Sequence, residues 1–395
     1  MLRNIIKKPI REDFVVIDSQ FPQKDPFAFK NVEITEYLKR INNFKSYTMY
    51  PMMPDEGAWF THGYGITYKE FKANKEGYLR HYKQDPDKIN YLFPDQKYSF
   101  KLAYTYFLAE TYVLLPFLEK NKIPFIFVLY PGGGFGLNFN KSDNMLRRIF
   151  QSKYFRGVIT TQDITKDYLI SKQLCLEKQI HHIYGGFVQF KKSDVLPRKK
   201  YKKEKDTFDI CFVAAKYSEK GVDKGYDLFI EVAKELCKKT NDIMFHVVGG
   251  FNKEDVDISG IESRIKFYGY KKPDFLVEFY TRMDIFLAPS RPFKLFEGSF
   301  DGFPLGIDAG YCGVAIFVSD KLKMNKHYTN NRDIVIVSLD KEKIANKVLL
   351  YYDNPERLYR LSQSCQAKTQ ELFDTNYQIN ERLSVFSKFQ SLELL

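Results

Sequence analysis

The chain has 395 residues, 44% of them hydrophobic, and a net charge of +12, which is enough for about two or three domains with cores of their own. Five scattered cysteines without a CxxC pair argue against a disulfide framework and a zinc site and fit a reducing cytoplasm. The longest uncharged run, Ile123 to Asn140, is continuously apolar only over its first eight residues before four glycines follow, so no membrane-spanning helix is expected.

In chain order, "MLRNIIKKPIREDF" has no apolar stretch of signal-peptide length before "DFVVID", which reads as a first strand. "FAFKNVEITEYLKRI" has helical spacing, and "KLAYTYFLAETYVLLPFLEKN" reads as one long apolar-faced helix that Pro116 ends or kinks. "IPFIFVLY" is a buried strand, "RGVITT" and "QIHHIYGG" are shorter strands, and the helical "DITKDYLISKQLC" lies between those two. The charged "KKSDVLPRKKYKKEK", residues 191 to 205, reads as an interdomain linker. Beyond it the alternation restarts with "FDICFVAA", "YDLFIEVAKELCKK", "IMFHVVGG", "RIKFYGY", "DFLVEFYTR" and "MDIFLAPS", then a helix beginning near Pro304 and the strand "VAIFVSD". Alternating strands and helices imply parallel sheets with ligands at the carboxyl ends of the strands. The boundaries expected are a first domain over residues 1–190, a linker over 191–206, a second domain over 207–377, and a terminal helix near 378–395 that packs back on the first.

Charge is uneven: residues 1 to 190 carry +8, 191 to 205 carry +6 and 206 to 395 carry −2. That asymmetry fits an anionic membrane surface, nucleic acid or a plain solvated basic face; no nucleic-acid recognition motif accompanies it, so no nucleic-acid partner is expected. The 36 Phe and 28 Tyr against a single Trp read as an AT-rich coding bias, and a bacterial source is the expectation.

Four segments carry candidate chemistry. "YPGGGFGLN" places Gly133 and Gly134 in a strand-to-helix turn, either a loop open to an anion or sugar or a merely tight turn; its spacing is not that of a dinucleotide fingerprint. "AAKYSEKGVDKGYDLF" puts Lys216 at a strand end and Lys224 before a helix, two cations for one phosphate or an ordinary lysine-rich loop. The pairs Asp85/Asp87 and Asp255/Asp257 have the DxD form of a metal site and also the frequency of chance. His62, in "WFTHGYG", is a loop candidate, whereas His181, His182 and His246 read as structural.

The second half resembles the nucleotide-binding domain of retaining GT-B glycosyltransferases of the family four type. The resemblance rests on "KGYDLFIEVAKEL", "VVGG", "IKFYGY", "FYTRMDIFLAPS" and "DGFPLGIDAGYCG", covering about residues 208 to 320. It implies two Rossmann-like domains facing a cleft, with Lys216 and Lys224 on the diphosphate of a nucleotide sugar, UDP-linked by expectation. Asp301 would then hold donor sugar hydroxyls, and Gly302, Phe303, Pro304, Leu305, Asp308, Gly249 and Tyr270 would line the donor. Gly133, Gly134 and His62 fall on the sugar or acceptor side. No metal or other cofactor is implied, since the lysines and the helix after Pro304 would carry the leaving charge.

Two departures accompany the match. Both acids are aspartates where the family has glutamates, and the six residues between Asp301 and Asp308 are one fewer than the family spacing. One residue on a helix is a rotation of about 100°, so whether Asp308 keeps a ribose contact stays open. The expected function is transfer of a sugar, with retention, to a glycan, lipid-linked or protein acceptor, by a cytoplasmic enzyme that touches the inner face of the cell membrane through its basic half. The alternatives are a catalytically degraded binding partner of an active transferase and a nucleotide-sugar epimerase.

Overall fold

The computed structural model describes residues 8–23, 29–301 and 306–394. The chain divides into two compact units, one formed by residues 1–187 with 375–395 and the other by 188–374.

The first unit is built from β1 (Ile10–Asp18), α1 (Phe29–Arg40), β2 (Phe44–Thr48), α2 (Tyr68–His81), β3 (Ile89–Tyr91), β4 (Tyr98–Tyr106), α3 (Leu108–Lys120), β5 (Phe125–Leu129), α4 (Asn140–Phe150), β6 (Phe155–Thr160), α5 (Asp163–Ser171) and β7 (Ile180–His182). Its seven strands form a parallel sheet in the order β3-β2-β1-β4-β5-β6-β7. Strands such as "FIFVL" of β5 are buried throughout because helices cover both faces of a parallel sheet. The amino end of α2 is set by a capping box in which Thr67 and Glu70 satisfy each other's backbone amides.

The long helix expected over 101–121 is not one element. Its first part is strand β4, paired with β1 (Phe14 opposite Leu102) and β5 (Ala103 opposite Phe125), and only Leu108–Lys120 is helical. An apolar run buried on both faces carries no period that separates strand from helix. Phe107 makes the break at φ 56°, ψ 158°, a conformation L residues seldom adopt. Pro116 sits inside α3 without ending it.

The second unit follows with β8 (Phe208–Val213), α6 (Tyr226–Cys237), β9 (Ile243–Val248), β10 (Ile265–Phe267), α7 (Pro273–Tyr280), β11 (Ile285–Ala288), α8 (Ile307–Tyr311), β12 (Ala315–Val318), β13 (Val335–Ile336), α9 (Lys341–Tyr352) and α10 (Pro355–Leu372). Its six parallel strands run β10-β9-β8-β11-β12-β13. The helix expected from Pro304 is α8, only five residues long, and Pro304 itself lies outside the described residues.

The basic segment 191–206 is packed into this second unit. Lys205 Nζ lies 2.5 Å from Asp209 and 2.5 Å from Asp284, Arg198 donates to the carbonyls of Gly313 and Met283, and Lys200 and Lys202 lie over the rings of Tyr359 and Tyr352.

After α10 the chain returns to the first unit as α11 (Thr375–Ser387), whose Ile379, Val385 and Phe386 join the core around Phe14 and Tyr37. Arg382 of α11 is fully buried, 3.3 Å from the Glu33 carboxylate, which also accepts hydrogen bonds from Tyr37, Tyr104 and Tyr130. A buried charge needs such a set of partners to remain in place.

Candidate active site

In an open parallel sheet, ligands gather where the strand order reverses. In the second unit that point lies between β8 and β11, which are neighbours in space with β9 and β12 on their outer sides. The loop leaving β8 carries Lys216 and Lys224, and the loop leaving β11 carries Pro289 and Ser290, so both loops flank the switch point.

Two glycines make the approach possible. Gly225, at φ 77°, turns the chain into α6 so closely against β11 that a Cβ there would lie 2.0 Å from the Pro289 carbonyl oxygen. Gly249, at φ 126°, closes the end of β9 on β8, where a Cβ would lie 2.0 Å from the Ala214 carbonyl oxygen. Neither position accepts a side chain, which ties the Lys-Gly and Gly-Gly pairs to backbone contact.

Lys224 is not in a solvated position: its side chain is 8% exposed, its ammonium donates directly to Asp301, and it lies 4.0 Å from Asp223 and 5.2 Å above the Tyr217 ring. Lys216 reaches Asp255 at 2.5 Å, and its backbone amide points at the Tyr270 hydroxyl, 3.4 Å away. Tyr270 is 67% exposed, and its hydroxyl packs over Gly250. The site thus brings Lys216, Lys224, Asp301, Gly249 and Tyr270 to one edge of one sheet.

Asp308 stands in the first turn of α8, half-buried, and burial pushes its carboxyl up to about 6. The helix is too short to gather the aligned peptide dipoles of a full one. Gly302, Phe303, Pro304 and Leu305 lie outside the described residues. Of the DxD aspartates, Asp255 is turned to Lys216, Asp257 to Lys234 at 2.6 Å, and Asp85 caps a turn by accepting from the Asp87 amide.

In the first unit the glycine loop folds on the start of α3. The Gly133 carbonyl accepts from the Ala109 amide at 2.9 Å, the Gly134 carbonyl accepts from the Trp59 indole at 3.1 Å, and a Cβ on Gly133 would strike the Phe107 ring. His62 is exposed, 3.2 Å from the Tyr64 hydroxyl. At this unit's own switch point, between β1 and β4, lies a cluster that sequence reading missed. Lys30 is 2.5 Å from Asp18 and 3.3 Å from Glu110, and Glu110 accepts from the amide and hydroxyl of Ser19. Burial and the neighbouring Asp18 charge raise the Glu110 carboxyl, while those two carboxylates outweigh burial at Lys30 and raise its ammonium above the usual lysine range. No local pattern joins positions 18, 30 and 110, so no sequence signal pointed to it.

Two doubly wound parallel sheets with these strand orders are those of a GT-B fold. Within the second unit, residues 196–368 match the family model of the glycosyl transferases group 1. Among solved structures the chain is similar to HepE of Anabaena in complex with UDP and glucose, with TM-score 0.65 and 12% identity over 95% of this chain and 99% of that one. Sucrose-phosphate synthase from Thermosynechococcus elongatus gives TM-score 0.62 and 14% identity over 96% and 99%. Mannosylfructose-phosphate synthase of Agrobacterium fabrum is 26% identical over 259 residues, 60% of this chain and 54% of that protein. An uncharacterized protein of Sulfolobus islandicus rod-shaped virus 1 is 28% identical over 206 residues, 51% and 48% of the two chains. The chain thus spans about half the length of the curated relatives it matches. Among the described residues no helix is long and apolar enough to cross a membrane.

Proposed function

We propose that the protein is a glycosyltransferase that moves a sugar from a nucleotide sugar to a glycan, lipid-linked or protein acceptor with retention at the anomeric carbon. The observation that supports this reading is the position of Lys216 and Lys224 on the loop that leaves β8 at the β8–β11 switch point, with Asp301 in contact with Lys224. A UDP-sugar is the proposed donor, supported by the fold shared with a protein solved with UDP and glucose.

The chemistry follows from charge. As the bond between the sugar C1 and the diphosphate oxygen breaks, negative charge builds on the diphosphate, and two ammonium groups in a partly dry site stabilise it more than water does. The acceptor oxygen forms its bond to C1 on the same face, and its proton passes to the departing phosphate oxygen, so no separate base or metal is required. Asp301 orients sugar hydroxyls, Asp308 faces the ribose, and Gly249, Tyr270 and the segment Gly302–Leu305 line the donor. Gly133, Gly134 and His62 line the sugar and acceptor side.

Incubation with a panel of nucleotide sugars, with released nucleotide measured and the product anomer read by NMR, tests the reading. Transfer with retained configuration is expected; release of no nucleotide from any donor would favour a non-catalytic binding partner, a role the two substituted acids also fit.

A further inference from the structure

Both cations of the candidate phosphate site are neutralised by carboxylates of this chain, and the two carboxylates differ in kind. Asp301 lies in the Asp-Gly-Phe-Pro segment already assigned to the donor sugar. Asp255 lies in none of the segments on which the family resemblance rests; it stands on the loop that follows Gly249–Gly250. We propose that Asp255 is a built-in competitor for the donor's phosphate groups, holding Lys216 in the empty enzyme and yielding it to a diphosphate. The proposal rests on the reading of Lys216 as a phosphate ligand.

The loop aims Asp255 at the lysine. The Asn252 side-chain oxygen accepts from the amides of Glu254 and Asp255 at 3.0 and 3.2 Å, and one Asp255 oxygen accepts from the Asn252 amide at 3.0 Å. The other oxygen is thereby directed to Lys216 Nζ, 2.5 Å away. The carboxylate is 12% exposed and the lysine side chain 24%, so water screens the pair only partly, yet the lysine stays open to an incoming anion. A phosphate oxygen arriving at Lys216 meets the Asp255 charge at close range, and like charges repel. The ligand must displace the carboxylate or share the ammonium with it, and either way binding is weakened. Asp257, two positions on, has no such role: it pairs with Lys234 on α6 and is 71% exposed.

Titration calorimetry with UDP and with inorganic pyrophosphate tests the competition. Asp255→Asn keeps the shape and removes the charge, and should tighten UDP binding by about two- to fivefold, the scale of a partly exposed ion pair. Asn252→Ala, which loosens the turn that aims Asp255, should move affinity the same way, and Asp257→Asn should leave it unchanged. In a Lys216→Gln background the gain from Asp255→Asn should vanish, because the contested cation is gone. Unchanged or weaker UDP binding in a folded Asp255→Asn protein overturns the proposal, as does a gain that persists without Lys216. If neither UDP nor pyrophosphate binds any variant, both the competition and the transfer reading fall. If the gain is seen but no sugar nucleotide is turned over, the competition stands and only the transfer reading falls.

Discussion

Lys224 and Asp301, 77 positions apart, form a direct ion pair at the carboxyl end of the second sheet. In the proposed reading one group serves the diphosphate and the other the sugar, so the contact joins the two halves of donor recognition.

Lys224→Met keeps the stem that packs beneath Tyr217 while deleting the charge. It should lower kcat by about 10²- to 10³-fold, as removal of one transition-state donor does. Asp301→Asn should also lower kcat, through a misplaced sugar. Steady-state kinetics on both variants checks this; an unchanged kcat in both would move the active site elsewhere.

Asp308 separates binding from stability. A ribose contact is made equally in the ground and transition states, so Asp308→Asn should raise the donor KM and leave kcat nearly unchanged. Burial holds the folded carboxyl at about 6, above its ordinary value. The folded state therefore binds the extra proton between about pH 4 and 6, and the stability this group contributes is lost as pH rises through that window. Asp308→Asn should raise the melting temperature at pH 7.5 by a few degrees, with the gain shrinking below pH 6. An equal shift at pH 5 and pH 7.5 would show that the carboxyl titrates normally.

Turnover should be unchanged in excess chelator, because the lysines carry the leaving charge. Asp255 and Asp257 point to different lysines, Lys216 and Lys234, and so offer no shared ligand set. Loss of rate in chelator, restored by manganese, would contradict this.

The basic segment should bind anionic membranes through only part of its charge. Arg198 and Lys205 are committed to internal partners, whereas Lys199, Lys200, Lys202 and Lys203 stand near the surface. Changing these four to Gln should weaken sedimentation with anionic vesicles at low salt, and added salt should do the same to the parent protein. Equal binding to neutral and anionic vesicles would remove the membrane reading.

Arg382→Met should destabilise the first unit by about 3–5 kcal/mol, since it strands the buried Glu33 without its cation. The double change with Glu33→Gln should recover part of that loss. Denaturant unfolding of both variants measures it.

The alternation of apolar strands and amphipathic helices was legible in the sequence because each element buries its own local pattern. So was the placement of Lys216 at a strand end and of Lys224 before the next helix, since a parallel sheet puts every such loop on one edge. Strand β4 was not legible, because a run buried on both faces has lost the alternation that marks a strand. Nor was the pairing of Arg382 on α11 with the buried Glu33 of α1. The partners of the lysines belong to the same class: Asp255 for Lys216, Asp301 for Lys224, and Asp18 and Glu110 for Lys30 lie 39, 77, 12 and 80 positions away. The sequence determined which residues carry charge and near which strand ends they fall. Tertiary structure alone decided which charges face each other, because ion pairing acts over a few ångströms of space and leaves no period along the chain.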